Sequence, residues 1–144
     1  MLFRIALLIF IGVFMTPVSA ADEHAESGHE SIVKKYVEAF NAHNVEAMLK
    51  MVTDDVQWLT IDGDKIVIET GNKDELRQAM EGYFESCTTC RSNLEHVFST
   101  GARVSALEVA SFETADDIQK QQSISVYEFS GNLIKRVYYF AVEN

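Results

Sequence analysis

The chain opens on an unbroken apolar run, residues 5–15, behind a single positive side chain, Arg4. Pro17 ends the run, and Val18-Ser19-Ala20 supplies the small residues that follow it. Basic, then apolar, then small is the grammar of a secretory signal peptide over residues 1–20, with cleavage expected after Ala20. A retained span needs about 20 apolar residues. The uncharged stretch 5–21 is shorter and holds a proline, so removal is expected, with no stable membrane insertion after processing. Residues 21–30, ADEHAESGHE, have no apolar period and read as a flexible acidic leader to a domain over 31–144.

From Ser31 the pattern turns helical. Ile32, Val33, Tyr36, Val37 and Phe40 form one apolar stripe at helical spacing, with Ser31 as N-cap. Asn44 caps a shorter second helix whose buried side is Val45, Met48, Leu49 and Val52, and Thr53-Asp54-Asp55 is expected to end it as a solvated turn. Two β-rich runs, 56–61 and 65–70, flank Asp62-Gly63-Asp64, a strong hairpin signal. Gly71-Asn72 opens a third helix running to about residue 86, with Leu76, Met80, Tyr83 and Phe84 on its apolar side. Strands are predicted beyond it over 92–100, 103–113, 121–129 and 133–142, parted by turns. The fold class is therefore α+β: a curved antiparallel sheet wrapped over three N-terminal helices as a cone, hollow at its open end.

Charge narrows the partners. Removing residues 1–20 takes away Arg4 and leaves 22 acidic against 11 basic side chains. Such a surface repels nucleic acid and anionic lipid, and no basic stripe offsets it. The cysteines, Cys87 and Cys90, are spaced C-T-T-C in a chain expected in the periplasm or outside the cell. An oxidising compartment favours a disulfide. Redox enzymes place such a pair at a helix N-terminus, where the dipole lowers the thiol pKa; here it follows a helix C-terminus, so a structural bridge is expected. Zinc would need two more ligands, and no second pair offers them. No Gly-rich phosphate loop or nucleophile motif is present, so neither a metal nor a cofactor is expected.

The text IVKKYVEAFNAHNVEAMLKMVTDDVQW, followed by Gly71 before DELRQAM and closing on SGNLIKRVYYF, resembles the SnoaL-like branch of the nuclear transport factor 2-like superfamily. The likeness covers nearly all of residues 31–142, with Asn44 in place of the usual Asp and the capping chemistry kept. It implies the cone fold and a pocket. It fixes function far less, because the superfamily holds isomerases, hydratases, cyclases and proteins that only bind. The resemblance aligns Tyr36 with the helix-one tyrosine that ketosteroid isomerases use to stabilise an oxyanion. The carboxylate base of those enzymes falls on Thr60, which cannot relay a proton at neutral pH.

Candidate chemistry follows from alternation. His96 shares a face with Leu94 and Phe98, and Glu108 shares one with Val104, Ala106, Ala110 and Phe112. An ionisable group on a concave apolar face suits acid–base work. Tyr36, His96 and Glu108 are thus the catalytic candidates of an enzyme reading. The leading expectation is a binder of a small apolar or aromatic molecule, its pocket lined by Tyr36, Phe40, Met48, Trp58, Met80, Tyr83, Phe84 and Phe98. A homodimer through the sheet is expected with it. A filled core serving a partner-binding role is the third reading.

Overall fold

The computed structural model describes residues 28–140. The signal peptide, residues 21–27 of the leader and the end of the last expected strand lie outside the described residues. Helix α1, Gly28–Asn41, buries Val33, Tyr36, Val37 and Ala39. It begins inside the expected leader. His29 stacks on Phe129 with ring centroids 4.2 Å apart and directs Nε2 at the Gly131 carbonyl, 2.9 Å away. Those partners lie about a hundred residues on, beyond the reach of local periodicity, and Glu30 beside it is buried.

Helix α2, Val45–Leu49, starts as expected, with the Asn44 side chain accepting from the Ala47 N–H at 3.0 Å. It stops sooner. Strand β1, Val52–Asp62, takes in the residues expected as a turn. Val52 and Thr53 are β-branched, and Val52 pairs with Ile134 of the last strand, so tertiary pairing overrides the helical stripe. Asp54 and Asp55 remain exposed, and Lys73 sits 2.8 Å from Asp54. Strand β2, Lys65–Thr70, closes the hairpin over Gly63, whose φ of 57° meets the left-handed requirement of the turn.

Helix α3, Lys73–Ser86, is capped reciprocally: Asn72 accepts from the Glu75 N–H at 2.9 Å, and Glu75 accepts from the Gly71 N–H at 2.7 Å. The Cys87–Cys90 bridge follows, with Cα atoms 5.5 Å apart. Strands β3, Arg91–Thr100, β4, Arg103–Glu113, β5, Ile118–Ser130, and β6, Leu133–Phe140, then run as a meander. The sheet order is β2-β1-β6-β5-β4-β3. One pairing departs from the all-antiparallel expectation: β1 lies parallel to β6, joining the early hairpin to the meander.

The curved six-stranded sheet packs its concave face on α1 and α3. Val33, Tyr36, Met48, Leu76, Val104, Tyr127, Ile134 and Val137 are almost fully buried between them. Burying each such side chain contributes roughly 1.5–3 kcal/mol. Among the described residues no helix is long and apolar enough to cross a membrane.

Candidate functional site

Between α1, α3 and the concave face lies a cavity of about 450 Å³. Helix α1 supplies Tyr36, Val37 and Phe40, because these follow one another at helical spacing on its buried stripe. Helix α3 supplies Leu76, Ala79, Met80 and Tyr83 in the same way. The sheet supplies Trp58, Thr70, Ser92, Glu108, Ala110, Phe112, Tyr127 and Tyr139. The buried members, among them Tyr36, Thr70, Leu76, Ser92 and Tyr127, form a floor, while exposed Glu69, Tyr83, Arg91, Phe112 and Gln121 mark the mouth.

Glu108 is the central polar group. It pairs with Leu94 on one side and Ser123 on the other, which turns its side chain to the concave face. The Tyr127 hydroxyl donates to its Oε2 at 3.2 Å, and the Ser92 hydroxyl donates to its Oε1. Asn41 grips the Ser92 backbone in both directions, accepting from its N–H at 2.7 Å and donating to its carbonyl at 2.8 Å. The carboxylate is thereby positioned by three elements.

Four tyrosines surround this charge, and all four phenols are pushed upward. For Tyr36, Tyr83, Tyr127 and Tyr139 burial is the largest cause, and the negative charge of Glu108 adds to it. Tyr36 is 2 % exposed, and its hydroxyl, like that of Thr70, is buried without a hydrogen-bond partner. Tyr36 meets Tyr127 edge-on, with centroids 6.2 Å apart. The arrangement offers hydroxyl donors and one held carboxylate within apolar walls, which suits binding a polar-tipped apolar molecule or moving a proton on one.

Among the expected pocket residues, Tyr36, Phe40, Trp58, Met80 and Tyr83 line the cavity, and so does Glu108. Met48 and Phe84 do not: both are buried in the core, and Phe84 packs against Phe40, Tyr83 and the ring of His43. His96 and Phe98 are corrections of another kind. A β-bulge between Glu95 and Phe98 inserts an extra residue, with His96 at φ 49°. Faces swap beyond the bulge. Val97 turns to the core, Phe98 is 54 % exposed, and His96 is exposed and off the cavity. It takes no part with Glu108.

Sequence reasoning missed Tyr127, Tyr139, Ser92 and Thr70. Cross-strand register was the available signal. Val104 opposes Tyr127 and Trp58 opposes Thr70, so faces assigned on one strand carry to the next.

The geometry defines a class first: a cone-shaped α+β domain with a ligand-sized cavity between its helices and its sheet. The pattern of the SnoaL-like domain matches residues 33–137, and the chain belongs to that family. Curated proteins give no match. Several solved structures are similar. A protein described as an uncharacterized cystatin-fold protein from Novosphingobium aromaticivorans is 20 % identical, with 81 % of this chain and 99 % of that one covered and a TM-score of 0.69. A nuclear transport factor 2-like protein of unknown function from Burkholderia pseudomallei K96243 is 17 % identical, with 79 % and 90 % covered and a TM-score of 0.66. TerC, crystallised with polyporic acid, is 11 % identical, with 78 % and 90 % covered and a TM-score of 0.66. These likenesses place the chain in the nuclear transport factor 2-like cone fold.

Proposed function

We propose that this is an exported protein that binds a small apolar or aromatic molecule in the cavity between α1, α3 and the sheet. One observation carries the reading: about 450 Å³ stays open inside mainly apolar walls, beside a buried Tyr36 hydroxyl that has no partner. A closed core would fill such a void, since packed interiors tolerate few gaps larger than a water. The co-crystallisation of TerC with polyporic acid supports ligand binding in this fold. The test is fluorescence titration with the neutral probe N-phenyl-1-naphthylamine. Wild type should enhance its emission saturably, and Ala110→Phe, which fills the cavity from β4, should abolish this while far-UV circular dichroism is unchanged. Absence of saturable binding to wild type, or equal binding by Ala110→Phe, refutes the proposal.

A second reading, an acid–base enzyme, is favoured by Glu108, a carboxylate held by Tyr127 and Ser92 inside the cavity. Turnover that survives Glu108→Gln would exclude it. Export rests on residues 1–20, and intact mass of the secreted protein should show a chain beginning at Ala21. The homodimer rests on the outer face, where Ile61 opposes Ile66 and Phe140, and Leu59 opposes Ile68 and Tyr138. Ile66 and Ile68 are 66 % and 57 % exposed there. Contiguous apolar surface of this kind marks an interface. Ile66→Lys with Ile68→Lys should turn a dimer into a monomer in sedimentation velocity, and a monomeric wild type would refute it.

A further inference from the structure

Three residues on the cavity wall have bonding capacity the protein leaves unused, and each can donate. Tyr36 and Thr70 carry the unpartnered hydroxyls of the floor. The third is Arg91 at the mouth. Its Nη1 donates to the Cys90 carbonyl at 2.6 Å and lies 3.3 Å from the Thr88 carbonyl and 2.9 Å from His43 Nε2. None of these neighbours is a carboxylate, so they fix the guanidinium without cancelling its charge. Two of them belong to the ring closed by the Cys87–Cys90 bridge, and His43 is itself held by stacking on Phe84 with centroids 4.2 Å apart.

Among the described residues, Nε and Nη2 of Arg91 make no hydrogen bond, and no carboxylate stands within ion-pair distance of it. The Nε–Nη2 edge of a guanidinium is a planar two-donor fork that matches the two oxygens of a carboxylate. The acidic side chains of the wall leave that fork free. Both oxygens of Glu108 already accept hydroxyls, from Ser92 and Tyr127. Glu69 stands on β2, the edge strand opposite to the β3 that carries Arg91.

We propose that the ligand is an apolar acid: an aromatic or alicyclic body fills the cavity, and its carboxylate is bound by the free fork of Arg91. This rests on the cavity being a ligand site. The excess of 22 acidic over 11 basic side chains after residue 20 works against adventitious capture of anions, so preference for an acid must arise locally, at Arg91.

The experiment is isothermal titration calorimetry with 2-naphthylacetate and its methyl ester, which share one ring system and differ in the carboxylate. Wild type should bind the acid more tightly than the ester. Arg91→Gln should weaken the acid about ten-fold or more and leave the ester within about two-fold, since a charge-assisted pair is lost and the walls are not. Arg91→Lys, a charge without the fork, should fall between. Equal wild-type affinities for acid and ester overturn the proposal, whether or not the Arg91 variants fold. Equal weakening of both by Arg91→Gln overturns it too. So does binding of neither by a protein that still takes up N-phenyl-1-naphthylamine. Failure of that neutral probe as well refutes the ligand-site reading itself.

Discussion

Removing one hydroxyl from Tyr36 and one from Tyr127 is the same chemical change, yet the structure predicts opposite effects on stability. Both rings are buried, at 2 % and 1 % exposure, and both keep their packing as phenylalanine. The Tyr36 hydroxyl has no hydrogen-bond partner, so folding strips it of water without return. An unsatisfied buried donor costs about 1–3 kcal/mol. Removing the oxygen leaves a small void, which offsets part of that. Tyr36→Phe should therefore stabilise the ligand-free protein by about 0.5–1.5 kcal/mol. Tyr127 donates to Glu108 at 3.2 Å, and a hydrogen bond to a charged group contributes about 1.5–3 kcal/mol, so Tyr127→Phe should destabilise by that order. Urea unfolding followed by circular dichroism reads both. With slopes of about 1–3 kcal/mol per molar, the midpoints should move in opposite directions by a few tenths of a molar or more. A ligand that accepts from Tyr36 should bind Tyr36→Phe more weakly although the apo-protein is more stable. Loss of more than about 1 kcal/mol on Tyr36→Phe would mean that the hydroxyl is satisfied in the folded state, and the reasoning would fail.

The remaining predictions concern pH, the core, the bulge and the disulfide. Burial, reinforced by Glu108, raises the phenols of Tyr36 and Tyr127 above their ordinary 10.0, so their contribution is complete below about pH 10 and is lost as pH rises from there through the folded values. The unfolding free energy from urea titration should fall above pH 10 by up to about 1.4 kcal/mol per pH unit per tyrosine, and Tyr36→Phe should remove one share; a flat profile to pH 11 contradicts this. Met48→Ala, at a site with 0 % exposure, should cost about 2–5 kcal/mol, whereas Phe98→Ala, at 54 %, should stay within about 0.5 kcal/mol by the same assay. His96 at φ 49° should accept glycine without loss, while valine there should cost about 1–2 kcal/mol. Reduction of the Cys87–Cys90 ring should cost about 2 kcal/mol, measured as a midpoint shift with and without a dithiol.

The helix-one stripe, the Asn44 cap, the Asp62-Gly63-Asp64 hairpin and the strands after Cys90 were all legible in the sequence. Each is set by contacts within a few residues, which periodicity and turn chemistry report directly. Tyr36, Phe40, Met80 and Tyr83 were legible for the same reason, since a helical stripe fixes which side chains face the sheet. Tertiary structure decided the rest. Val52 left its helix for β1 because a strand far along the chain offers it a partner in Ile134. His96 and Phe98 left the concave face because a bulge displaced the alternation, and period-two reasoning assumes an unbroken ladder. Glu108 acquired Tyr127 and Ser92 through strand register, which residues on separate strands do not encode locally. The open cavity is the clearest case. The sequence determines which side chains are apolar, but only the sheet's curvature over α1 and α3 decides whether they close on one another or leave room between them.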